Sequence, residues 1–224
     1  MSGMPPPPPP DWEQEQRPLG GTPTSFNPRI ITALVVIIMA IVIIGITLKM
    51  PWWNLTVNDE GIVTNFDYSL GQVCHLSPTE SGCLSYQYIA SNLPSFKLVS
   101  DTFELTNIFM LAGFIMAILT LIFLISGIFH PKIGLVAMIC GIIGSILVLV
   151  APLYLFAFLP GAMNFWSQPA NCPINFFGST TCDSTHFCSS GSFGWFFAIF
   201  TFVLFLIATV LSFKVTRNSI NQEK

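Results

Sequence analysis

The chain has 224 residues and a formal charge of −3, with 52% hydrophobic and only 8% charged side chains and a mean hydropathy of +0.69. A soluble globular domain carries about a quarter of its residues as charges, so this composition excludes that class and points to a membrane protein.

Residues 1–28 form a region of their own, with prolines at positions 5–10 followed by DWEQEQRPLGGTPTS. Such a stretch has no apolar set from which to build a core, and it is expected to be a disordered cytoplasmic tail in which the proline run favours polyproline II. It reads first as a spacer and second as a ligand for a cytoplasmic proline-binding module. Asn27-Pro28 then supplies a helix start, with Asn as the cap and Pro at the first helical position.

Residues 29–214 hold four apolar runs, Ile30–Leu48, about Thr106–Phe129, Ile133–Leu159 and about Phe193–Phe213. Each is long enough to cross a hydrocarbon core of roughly 30 Å as a helix. None contains Asp, Glu, Lys, Arg or His. With the N-terminus inside, the cytoplasmic side holds Arg17, Arg29, Lys132, Lys214, Arg217 and Lys224, whereas the outer loops hold only Lys49 and Lys97. That bias places both termini, including the short tail 215–224, in the cytoplasm. Small residues recur at Ala137, Gly141 and Ser145 and again at Ala208 and Ser212. Such rows let helices approach closely in lipid, either inside the chain's own bundle or between copies.

The first outer loop, about 50–105, is acidic and contains Asp59, Glu60 and Asp67 as candidates for facing ions. It also contains LGQVCHLSPTESGC, in which Cys74 and Cys83 flank two turn signals, and LSYQY after it alternates as a strand would. A disulfide across a hairpin is the economical reading on an oxidising face, and a loop of that size is worth roughly 2–3 kcal/mol. The sequon Asn54-Leu55-Thr56 lies so close to the first span that its use is not expected.

The second outer loop, about 160–192, carries Cys172, Cys182, His186 and Cys188 beside Phe165, Trp166, Phe176, Phe177 and Phe187. Two of the three cysteines are expected to pair. The third is left for a bridge to loop one, a bridge to another chain or a free thiol. A three-Cys, one-His zinc site is the alternative, although the spacing fits no zinc motif. The aromatics serve as contact anchors or as an interfacial belt. Cys140 lies within a span.

Transporters and proton pumps keep ionisable groups at membrane depth, and these spans have none. No Cys-x-x-Cys, phosphate loop or nucleophile–base constellation is present, so neither an enzyme nor a bound cofactor or metal is expected.

Taken together, Trp53 shortly after the first span, Leu70, Cys74 and Cys83 resemble the claudin and peripheral myelin protein superfamily residue by residue. Gly71 stands where that family has Trp, and Ser69 where it has Gly. The resemblance implies a four-transmembrane-helix bundle carrying a small extracellular antiparallel β-sheet stapled by Cys74–Cys83, in the plasma membrane. It implies a non-enzymatic role in membrane organisation, adhesion or barrier formation through the outer loops. The partners would be the bilayer, further copies or other membrane proteins. The alternative is an ion pathway or an auxiliary subunit of a channel or receptor complex.

Overall fold

Helix α1 (Pro28–Thr47) begins on its proline and buries Ala33, Ile37, Ala40, Ile44 and Thr47. Their alternating spacing of four and three residues is the narrow stripe of a helix packed in a bundle. Ile31, Val35, Ile38, Met39 and Val42 face outward, and an apolar outer surface is what lipid requires. The computed structural model describes residues 28–78, 80–129, 131–166, 173–182 and 185–222. The proline-rich tail, Cys172 and Asp183 lie outside them.

After α1 come strands β1 (Pro51–Asp59), β2 (Ile62–Ser69), β3 (Gln72–Leu76) and β4 (Ser81–Ser85), the short helix α2 (Tyr86–Asn92) and a 3-10 turn at Pro94–Phe96. Helices α3 (Lys97–Phe129) and α4 (Pro131–Trp166) follow, then β5 (Gly178–Cys182), β6 (Thr185–Gly191) and α5 (Phe193–Gln222). Four helices, α1, α3, α4 and α5, are long and apolar enough to cross a membrane, so the chain is a multi-pass membrane protein. Each packs mainly on two neighbours, giving the ring α1–α3–α4–α5–α1.

Apart from Leu48, the expected spans fall inside these helices, and three of the helices run further, α5 to Gln222 and the other two toward the sheet. α3 starts at Lys97 and α4 ends at Trp166, both on the side of the sheet. At about 1.5 Å per residue, 33 and 36 residues exceed the roughly 30 Å of a bilayer core, so this pair projects beyond it. Hydropathy marks only the lipid-facing part. The polar stretch Lys97–Glu104 stays helical because it has no Gly or Pro and buries Val99 and Phe103.

Close approach between helices depends on glycine. A methyl group at Gly113 would come within 2.6 Å of Val148 Cγ2, fixing the α3–α4 crossing. One at Gly141 would lie 2.5 Å from Thr209 Oγ1, and one at Gly144 would overlap the ring of Phe205. Ala137, Ser145, Ala208 and Ser212 are buried as well, so both small-residue rows pack inside the bundle. Buried hydroxyls satisfy themselves on the preceding turn: Thr106 donates to the Thr102 carbonyl at 2.8 Å and Ser145 to that of Gly141 at 2.6 Å. Among the described residues no buried side-chain nitrogen or oxygen lacks a partner.

All six strands form one antiparallel sheet in the order β4-β3-β2-β1-β6-β5. Loop one supplies four strands and loop two supplies β5 and β6. The expected strand across Leu84–Tyr88 is corrected by the structure. Pairing stops at Ser85, whose hydroxyl accepts from the Tyr88 amide and caps α2. Tyr86 is drawn into the core against Phe96 and Phe103, which a strand continuing past Ser85 would not permit.

Candidate functional site: the two faces of the sheet

Strand pairing decides which side chains share a face, because directly opposed residues lie on the same side. On the inner face Trp53 is opposite Tyr68 and Gly191, and Leu55 is opposite Phe66 and Ser189. Trp53, Leu55 and Tyr68 are buried against the helix ends. The Trp53 and Tyr68 rings lie 5.1 Å apart, Tyr68 stacks on Phe103 at 5.8 Å, and Phe103 stacks on Tyr86 at 5.0 Å. Trp53 Nε1 donates to the Phe176 carbonyl at 3.0 Å, tying loop one to loop two. Trp52 Nε1 donates to the Thr47 carbonyl at 2.9 Å, and its ring lies so close to Gly194 that a methyl there would be 2.6 Å from Cδ1. Tryptophan suits these positions because its ring fills the core while its N–H satisfies a carbonyl at the end of a helix or in a loop.

The outer face is polar. Asn54, Thr56 and Asn58 of β1 share it with Asn65 and Asp67 of β2, with Cys74 and Cys83, and with His186, Cys188 and Ser190 of β6. Asn54 Nδ2 donates to Asp67, Thr56 Oγ1 donates to Asn65 Oδ1 at 2.7 Å, and Thr181 Oγ1 lies 2.8 Å from His186 Nδ1. Cross-strand pairs of this kind order the surface, on which Val63 and Leu76 are the apolar members. Cys74 and Cys83 are opposed and joined by a disulfide, 4.0 Å between Cα atoms.

Of the other cysteines, Cys182 is disulfide-bonded, Cys140 is a free thiol buried in α4, and Cys188 is a free thiol exposed on the polar face. A sulfur held in a disulfide is no thiolate, so Cys182 does not join His186 and Cys188 as a zinc ligand.

The carboxylates separate. β1 and β2 meet in a two-residue turn, Glu60-Gly61, with φ of 48° and 89°. Positive φ at both positions matches the right-handed twist of the strands. Asp59 stands beside this turn on the inner face and accepts from Thr185 Oγ1 at 2.8 Å, Glu60 is at the tip, and Asp67 is on the polar face. Asp67 lies five residues along β2 from Ile62, the partner of Asp59, which is about 17 Å at 3.4 Å per residue. Asp59 and Glu60 are neighbours; Asp67 is not brought to them.

The aromatics of loop two also divide. Phe176 is buried in a cluster with Trp53, Phe156 and Trp195, whereas Phe165 and Phe177 are exposed. Phe187 is half-buried on the inner face, and the side chain of Trp166 is outside the description.

Sequence reasoning missed the β5–β6 hairpin. Its signal is the inward set Phe187, Ser189 and Gly191 alternating with the outward set His186, Cys188 and Ser190. It also missed the exposed apolar tip: Ile62 and Val63 are 62% and 40% exposed, next to Asp59 and Glu60. No protein-family model matches the sequence, and no curated protein matches it either.

Proposed function

We propose that the chain is a claudin-like membrane-organising protein of the plasma membrane, with both termini in the cytoplasm and the sheet outside. It acts by contact rather than catalysis, through the sheet and the tip of its β1–β2 hairpin. The observation that carries this reading is the tip itself, where Ile62 and Val63 are exposed beside Asp59 and Glu60 on a hairpin braced by Thr185. Exposed apolar residues rimmed by charge on a rigid support are what a contact surface needs. The likeness of Trp53, Leu70, Cys74 and Cys83 to the claudin pattern supports the same reading: Trp53 and Leu70 are both buried at the junction of sheet and bundle.

Cells expressing the full chain should aggregate, or capture the protein on neighbouring cells by crosslinking, above the level of empty cells. The double substitution Ile62→Asp, Val63→Asp should abolish the effect at unchanged surface level. Aggregation equal to that of the unsubstituted protein would refute the tip as the contact. An ion pathway is the weaker reading, since Asp67 is remote from Asp59 and Glu60. It would require charge reversal of Asp59 and Glu60 to alter ion selectivity across a cell layer.

A further inference from the structure

The β2–β3 turn, Leu70-Gly71, sits between the sheet-side ends of α1 and α3 and is held in place from three directions. Ser69 Oγ donates to the Gln72 carbonyl at 2.9 Å, Tyr86 OH donates to the Ser69 carbonyl at 2.6 Å, and the Leu70 side chain is buried. Gly71 is exposed, and a methyl group there would meet nothing within 4 Å. Space is left where any larger residue would place a side chain.

Two open clefts meet over this turn, sharing Leu70, Gly71 and Asn107. One, of about 520 Å³, has Lys49, Gln72, Leu48 and Leu111 in its wall. The other, of about 320 Å³, has Gln87, Ser100 and Glu104. Neither Lys49 nor Glu104 has an ion-pair partner among the described residues. The level is that of the membrane boundary: Asn107 is the last polar residue before the apolar run of α3, Leu111 is one turn deeper, and Leu48 directly follows α1.

We infer that this double cleft binds the headgroup of a zwitterionic glycerophospholipid. A phosphate fits at Lys49, with the amides of Gln72 and Asn107 as further donors, because a cation-assisted hydrogen bond is the strong kind. The headgroup ammonium fits at Glu104 in the adjoining cleft. The glycerol and the first methylenes fit against Leu48 and Leu111, which a free phosphate would leave uncovered. An anionic headgroup would meet the Glu104 carboxylate without a compensating charge. Gly71 is the opening that admits the headgroup. A primary ammonium, which donates hydrogen bonds to the carboxylate, favours ethanolamine.

The full chain, purified in detergent and stripped of lipid, should be titrated with phosphatidylethanolamine and with phosphatidylglycerol and read by native mass spectrometry. The unsubstituted protein should retain one phosphatidylethanolamine in preference to phosphatidylglycerol. Gly71→Trp should remove that retention at unchanged melting temperature. Lys49→Gln and Glu104→Gln should each weaken it about tenfold, the effect of losing one charged hydrogen bond. Glu104→Gln should also shift preference toward phosphatidylglycerol. Folded Gly71→Trp protein that holds phosphatidylethanolamine as tightly as before would overturn the site. So would a preference of the unsubstituted chain for phosphatidylglycerol. Should Gly71→Trp fail to fold, an unchanged ratio of the two lipids in Glu104→Gln would overturn it alone.

Discussion

Tyr68 and Tyr86 make the junction of sheet and bundle sensitive to alkaline pH. Both rings stack on Phe103. Burial pushes both phenols well above their ordinary range, and for Tyr86 the neighbouring Tyr68 adds to the effect. A phenol whose pKa is higher folded than unfolded holds its proton more firmly in the fold. Its contribution to stability is therefore fully present below the unfolded value of about 10 and is lost as pH rises above it. On the reference scale for tyrosine, these two phenols should lower the melting temperature of the protein in detergent as pH rises above about 10. Tyr68→Phe keeps the ring and discards the ionisable group, so it should flatten that decline. A profile unchanged by the substitution would mean that other groups govern alkaline unfolding. Little of this was legible in the sequence, because Tyr68 and Tyr86 are brought together by folding, both stacked on Phe103 of a third element.

At the scale of elements, the helices and the sheet are secured by different means. The α4–α5 contact depends on absent side chains: Gly144 lies against Phe205 and Gly141 against Thr209. Gly144→Leu should force the two helices apart and cost about 1–3 kcal/mol or more, as overpacking does. Ile143→Leu, at an exposed position beside it, should cost almost nothing. Both are checked by thermal melting in detergent. The β3–β4 hairpin depends on a cross-link. Cys74 and Cys83 join two strands of which β4 is an edge. Replacing both by serine should lower stability by about 2–3 kcal/mol, as the chain-entropy account gives for so short a loop. The loss should appear as faster amide exchange in residues 72–85, with the spans unaffected. The four spans were readable from hydropathy because lipid demands apolar side chains along the whole exposed length of a helix. The β5–β6 hairpin left only a weak signal, since Phe187 is its one large apolar residue and its strands are otherwise small or polar. The small-residue rows were readable as contacts, but the identity of the facing residues, Thr209 and Phe205, follows from the ring order of the helices, which sequence periodicity does not encode.

For the whole molecule, charge and sulfur chemistry bear together on which side the sheet faces. Among the described residues Lys49 and Lys97 are the only lysines or arginines at the sheet end, where Asp59, Glu60, Asp67, Glu80, Asp101 and Glu104 gather, whereas Arg29, Lys132, Lys214 and Arg217 belong to the opposite ends of the helices. The positive-inside bias therefore supports the proposed placement of the sheet on the outer side. Disulfides persist on an oxidising outer face, and the Cys74–Cys83 bridge and the bonded Cys182 support the same placement. The two remaining thiols of the described residues differ in access: Cys140 is buried in α4, while Cys188 is exposed on the polar face. A membrane-impermeant maleimide applied to intact cells should thus modify the protein once, at Cys188, and Cys188→Ser should remove the adduct. Cys140→Ser should leave it unchanged, because neither the label nor water reaches that thiol between packed helices. Modification that appears only after the cells are permeabilised would reverse the topology, placing the sheet, its hairpin tip and the acidic rim in the cytoplasm, where contact between facing cells is impossible.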